Sequence, residues 1–166
     1  MNRKNNRALR LTRGAIIAAL YFIFTLVSGL FGLSSGVIQF RISEALCILP
    51  LFFPESVLGL FVGCIISNLI LSGSIFDIVF GSLATLIGAL GALLWKKLPK
   101  RFHPAAGIPT VIANAIIIPP GISYAFGATE SIYFIALTVS VGEIVCAGIG
   151  GALLYFLLKK TPRLLK

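Results

Sequence analysis

Four stretches of this chain, 14–40, 56–76, 78–95 and 104–129, contain no Asp, Glu, Lys or Arg. A helix needs about 20 predominantly apolar residues to cross the hydrocarbon of a bilayer. These stretches, with two near-apolar runs around Glu44 and Glu143, occupy nearly all of the 166 residues. Only 11% of the residues are charged, against about a quarter in soluble domains, so water is not the main solvent. The segments between the runs are too short for a soluble catalytic or nucleotide-binding domain, which takes on the order of 50 residues. Any function is built inside a helix bundle.

The net charge of +9 raises the question of nucleic acid, but the basic residues are not spread over a face. They form three clusters beside apolar runs: Arg3, Lys4, Arg7, Arg10 and Arg13; Lys96, Lys97, Lys100 and Arg101; Lys159, Lys160, Arg163 and Lys166. Such clusters mark cytoplasmic ends of membrane spans, and no nucleic-acid partner is expected. If all three are cytoplasmic, even numbers of crossings separate them. Spans near 14–33, 37–53, 56–75, 78–96, 105–127 and 132–158 meet that condition. The expected fold is an all-α integral membrane protein, a six-helix transmembrane bundle with both termini inside. Its parts are a basic cytoplasmic segment (1–13), the membrane domain (14–158) and a basic cytoplasmic tail (159–166). The first apolar run is too long for the apolar region of a signal peptide and is followed by further spans, so it is read as retained.

Ionisable groups inside spans cost roughly 2.5–3.5 kcal/mol each on insertion scales and mark function by default. Arg41, Glu44 and Glu143 are the three candidates. At 1.5 Å of rise per residue, Glu143 lies about 18 Å below the outer end of its span and Asn114 about 14 Å above the inner end of its own, so both fall near mid-bilayer. Arg41 and Glu44, three residues apart, lie on one helix face, with Gln39 just above them. Asn68 reaches the outer half and Asp77 starts a span there. Gln39, Arg41, Glu44, Asn68, Asp77, Asn114 and Glu143 thus form an expected polar cup open to the outside. Plainer readings stand beside this one. Arg41 and Glu44 also suit a self-neutralising pair, Asp77 a helix cap, and Asn68 and Asn114 interhelical hydrogen-bond glue. Glu143 has no cation within a helical turn.

A carboxylate and amides in such a cup suit a planar solute with several N–H donors, or a cation. Phe40, Phe76, Phe80, Tyr124 and Phe126 are candidate stacking faces. Pro119-Pro120-Gly121 is expected to kink or break the fifth span and points to a cavity. No nucleophile–base pair appears in the spans, Cys47, Cys64 and Cys146 lack metal-ligand spacing, and His103 lies in a basic loop, so neither an enzyme nor a metal site is expected. The phosphate-cradling G-x-x-x-x-G-K-[ST] motif is absent, so this chain does not itself use ATP. Ala15 and Ala19, one turn apart near the inner boundary, have the small-xxx-small spacing that lets helices approach closely.

The runs Val37-Ile-Gln-Phe-Arg-Ile-Ser-Glu-Ala-Leu46, Gly59-Leu-Phe-Val-Gly-Cys-Ile-Ile-Ser-Asn-Leu69, Asp77-Ile-Val-Phe-Gly-Ser-Leu-Ala-Thr-Leu86 and Val139-Ser-Val-Gly-Glu143 resemble the QueT family. The resemblance covers about 14–158. It implies a substrate-binding (S) component of an energy-coupling factor (ECF) transporter in a bacterial cell membrane, importing a queuosine precursor such as 7-aminomethyl-7-deazaguanine. It further implies six helices, an outward-facing pocket, and docking through Ala15 and Ala19 onto a membrane T subunit attached to two ATPases. ATP would then be used by the partners and no cofactor bound by this chain. On that reading Glu143 accepts from the N–H edge of the base, Asn114 and Gln39 complete the edge, Asp77 or Glu44 meets an exocyclic ammonium, and Arg41 holds Glu44. Two other classes remain open at this stage: a stand-alone secondary carrier with Glu143 as its proton or cation site, and a structural membrane subunit without a ligand.

Overall fold

The computed structural model describes residues 3–34, 39–125, 127 and 131–161. Val37 and Ile38 of the first quoted run, Phe126, Arg163 and Lys166, named above, lie outside the described residues, as do the side chains of Arg3 and Lys4. Among the described residues the chain is all-helical. It comprises α1 (Arg3–Leu30), a 3₁₀ helix (Ile42–Leu51), α2 (Ser56–Leu71) and a π segment (Asp77–Gly81) running into α3 (Ser82–Trp95). A 3₁₀ turn (Lys100–Ala105), α4 (Ile108–Ala125), α5 (Ile132–Glu143), a second π segment (Ile144–Gly150) and α6 (Gly151–Lys160) follow.

Four helical stretches are long and apolar enough to cross a membrane: Arg7–Leu30, Asp77–Trp95, Lys100–Tyr124 and Ile132–Lys160. Ile42–Leu51 and Ser56–Leu71 are shorter apolar helices. Large apolar side chains such as Leu58, Leu69, Ile116, Leu137 and Leu153 point outward. A contiguous exposed apolar surface of that kind is stable against lipid and not against water. The chain is a multi-pass, all-helical membrane protein.

The segment expected to be an α-helical second span is wound differently. Arg41 is extended (φ −93°, ψ 99°) and precedes a ten-residue 3₁₀ helix that contains Pro50. At about 2.0 Å of rise per residue this winding carries ten residues over about 20 Å, where an α-helix covers about 15 Å. Residues three apart then eclipse, so Glu44 stacks on Cys47, while Arg41 lies before the helix and is off that row. The proline pair in α4 does not break the helix. Pro119 and Pro120 sit inside a helix that continues to Ala125, and Pro120 and Gly121 line a cleft on its surface.

Residues next to the three basic clusters meet at one end of the bundle. The Arg13 guanidinium sits 5.0 Å above the Phe53 ring and 3.6 Å from Glu55. Phe52 packs on Tyr155 of α6 at 5.6 Å, His103 meets Tyr155 edge-on, and Trp95 Nε1 donates to the Phe102 carbonyl at 2.9 Å. Near this end α1 and α2 come close, because a methyl group on Gly59 would stand 2.5 Å from the Gly14 carbonyl oxygen. Only small residues permit such backbone proximity. Between the helices, Ile17, Tyr21, Leu46, Cys47, Leu60 and Cys64 form part of one core cluster, and Ala84, Ala113, Ile118, Ile122, Ile135 and Val139 form another.

Candidate functional site

The seven polar residues singled out in the sequence are all buried, at 1–6% exposure. The structure therefore encloses them, where an open cup was expected. Local geometry explains how they come together. The extended Gln39–Arg41 segment lies directly on α5, where a side chain at Gly142 would overlap the Gln39 carbonyl. Glycine at 142 thus lets Gln39 sit beside Glu143. On the other side, Arg41 Nη1 and Asn68 Nδ2 both rest against the backbone of Gly81, in the π segment that begins with Asp77. π segments are uncommon and concentrate at functional sites; here one begins at Asp77 and the other immediately follows Glu143.

Two of the expected roles change once hydrogen bonds are assigned. Glu44 is not held by Arg41: among the described residues the two form no salt bridge, and Arg41 Nε donates instead to the Ser34 carbonyl at 2.7 Å. The Glu44 carboxylate is held by Tyr21, whose hydroxyl donates to Oε1. Cys47 donates to Oε2 at 3.1 Å, and Thr85 Oγ1 lies 3.3 Å from Oε1. The i,i+3 pairing of Arg41 with Glu44 assumed α-helical winding, and the 3₁₀ helix puts Cys47 where that argument put Arg41. Asn68 likewise has an internal task, because its Nδ2 donates to the Asp77 backbone carbonyl at 2.7 Å and braces the start of the π segment.

The other four residues are unfinished. Gln39 Nε2, Asp77 Oδ2, Asn114 Nδ2 and Glu143 Oε2 are buried with no hydrogen-bond partner among the described residues, and so are Ser82 Oγ and Thr110 Oγ1. A buried polar atom left unpaired costs about 1–3 kcal/mol, and native proteins hold few of them. These atoms are grouped. Glu143 lies within electrostatic range of Glu44 and Arg41 and beside the Asn114 amide, Arg41 is within range of Asp77 and Glu44, and Thr110 sits one turn before Asn114 on α4. The unpaired atoms are two amide donors, two carboxylate oxygens and two hydroxyls.

Sequence reasoning missed Tyr21, Thr85, Ser82 and Thr110. A signal existed for Tyr21, since a buried tyrosine hydroxyl requires a partner, and for Thr110, which shares the buried face of α4 with Asn114 at i,i+4. Phe76, Phe80 and Tyr124 do converge. Phe76 stacks on Phe80 at 5.9 Å and 17° and leans on Tyr124 at 5.9 Å, lining with Ile117, Pro120 and Gly121 a cleft of about 290 Å³. None of the seven polar residues lines it, so the aromatic cleft and the polar cluster are separate places. Phe40 is elsewhere, bonded through its backbone N–H to Leu33. At the basic end, Ala15 and Ala19 are exposed, and Ala15 lies in a groove of about 460 Å³ between α1 and α2.

Residues 11–160 match the QueT transporter family along almost the whole chain. This chain belongs to that family. A curated relative, the "Queuosine precursor transporter QueT" of Lactococcus lactis subsp. cremoris (strain MG1363), is 37% identical over 100 residues, which cover 60% of this chain and 59% of the relative. The aligned part of the chain therefore spans about three fifths of that relative's length. No solved structure matches the chain. The family's description as a transporter agrees with the outward-pointing apolar side chains of this chain and with its buried polar atoms that lack partners among the described residues.

Proposed function

We propose that the chain is the solute-binding component of an ATP-driven ECF importer, taking up a queuosine precursor of the 7-deazaguanine type from outside a bacterial cell. The observation that carries this reading is the group of buried donors and acceptors with no partner among the described residues, Gln39, Asp77, Asn114 and Glu143. A deazaguanine edge is a flat array of N–H donors and carbonyl and ring-nitrogen acceptors. Glu143 accepts from its N–H groups, as carboxylates accept paired donors well, and the Asn114 and Gln39 amides donate to its acceptors. The name of the Lactococcus relative supports the solute class. Counting the two short apolar helices as crossings gives six spans, and the common end of the basic clusters is the cytoplasmic one, with both termini inside.

Energy comes from partners on this reading. A membrane T subunit with two ATPases docks on the exposed Ala15 and Ala19 face of α1, at the basic end. Bulky replacement of either alanine, Ala15→Trp or Ala19→Trp, is expected to abolish co-purification with ATPase subunits while leaving solute binding within twofold. Loss of both would mean a damaged fold. The test of the binding reading is a thermal-stability screen of the detergent-purified chain against deazapurines, purines and small vitamins. A ligand at 100 times its Kd stabilises by about 2.7 kcal/mol, so a deazaguanine is expected to raise the melting temperature where unrelated solutes do not. A flat response to every compound refutes it.

A further inference from the structure

The groove between α1 and α2 at the basic end has a floor, walls and a charged mouth. Its floor is backbone, because a Cβ on Gly59 would stand 2.5 Å from the Gly14 carbonyl oxygen. Leu11 on α1 and Leu58 and Val62 on α2 stand up on either side of it and are exposed. The result is a trough of about 460 Å³. Arg10 and Ala18 both line it, and an α-helix rises about 12 Å over those eight residues. The trough therefore runs along the helices from the membrane surface into the hydrocarbon. Walls of this kind forfeit dispersion contacts unless chain atoms fill the space between them.

Charge distinguishes this trough from the other clefts. Arg7 and Arg10, one turn apart on α1, line its mouth and are exposed. Glu55 is the acid that lines it, and Glu55 is engaged by Arg13 at 3.6 Å, with Arg13 also resting on the Phe53 ring. Among the described residues no carboxylate forms a salt bridge with Arg7 or Arg10. The mouth thus carries two uncompensated positive charges above an apolar trough. The aromatic cleft at Phe76 and the cleft at Gly91 and Pro109 are lined by no charged residue.

From this pairing of charge and trough we infer that the groove holds an anionic phospholipid of the leaflet at the basic end, its phosphate on Arg7 and Arg10 and one acyl chain along the trough. The planar guanidinium donates two parallel hydrogen bonds to a phosphate, and basic pockets between membrane helices favour anionic headgroups. A zwitterionic phospholipid has the same chains and phosphate but brings its own cation towards the two guanidiniums, so it binds less tightly. The inference goes beyond solute uptake and does not depend on which solute is bound. Because the groove shares Ala15 with the face proposed for the T subunit, lipid and subunit exclude each other there.

Native mass spectrometry of the full chain, released from neutral detergent containing equimolar phosphatidylglycerol and phosphatidylcholine of identical acyl chains, reads the occupant. The wild-type chain is expected to retain phosphatidylglycerol over phosphatidylcholine by about tenfold. Combining Arg7→Gln with Arg10→Gln should bring the two lipids within about twofold of each other. Both side chains are exposed, so the fold does not depend on them. Ala15→Trp, which fills the trough, should cut retention of phosphatidylglycerol by about tenfold. Lys159→Gln combined with Lys160→Gln removes as much positive charge from outside the groove and should keep the preference. Equal retention of the two lipids by the wild-type chain overturns the inference and leaves the groove to a protein partner. A preference that survives loss of both arginines, one that falls as far with the two lysines, or full retention by Ala15→Trp overturns it too. None of these outcomes touches the binding of a deazaguanine, which the thermal screen reads separately.

Discussion

Glu143→Gln is expected to weaken solute binding at least tenfold, equivalent to about 1.4 kcal/mol. The substitution keeps the shape of the side chain and replaces an acceptor oxygen by an NH₂ donor, which faces the N–H groups of the ligand instead of accepting from them. The starting residue is buried, and Oε2 has no hydrogen-bond partner among the described residues, so replacing that oxygen breaks no hydrogen bond among them. The unliganded variant should therefore melt within a few degrees of wild type while its response to ligand falls. Titration calorimetry on the purified chain reads the affinity directly. Unchanged affinity would remove Glu143 from the site. Ion-gradient-driven uptake by vesicles containing only this chain, lost in Glu143→Gln, would instead make Glu143 the proton or cation site of a stand-alone carrier.

Glu44→Ala should act on the fold, destabilising the protein by about 3 kcal/mol or more. Truncation leaves the Tyr21 hydroxyl and the Cys47 thiol without their acceptor and opens a cavity where a fully buried side chain stood. Because the three groups form one network, their effects should not add. Tyr21→Phe in the Glu44→Ala background should cost much less than Tyr21→Phe alone. Thermal melts of the four proteins in detergent form the required cycle. Additive losses, or a Glu44→Ala protein as stable as wild type, would show that Tyr21 and Glu44 do not support each other.

These two acids looked alike in the sequence, each a carboxylate within an apolar run, and the structure separates them. Counting residues at a fixed rise brought Glu143 and Asn114 to the same depth, and the structure sets them side by side. That argument worked because α4 and α5 are regular enough for distance along the chain to become depth. It failed for Arg41 and Glu44, where the extended Arg41 and the 3₁₀ winding break the assumed period. Of the kink or break expected at Pro119-Pro120, a break does not occur, since α4 carries both prolines without ending.

By itself, the sequence determined that this is a helical membrane protein with basic clusters at span ends and a few costly polar groups at depth. Transfer into lipid is close to a sum over residues and needs no knowledge of neighbours. Only the tertiary structure decided which polar atoms are consumed. Glu44 is satisfied by a tyrosine 23 residues away, and Asn68 by a carbonyl nine residues on, while Asp77, Gln39, Asn114 and Glu143 retain atoms unpaired among the described residues. Hydrogen-bond satisfaction depends on which groups meet in space. The difference between an acid that holds the bundle together and one that awaits a solute is therefore not written at either position.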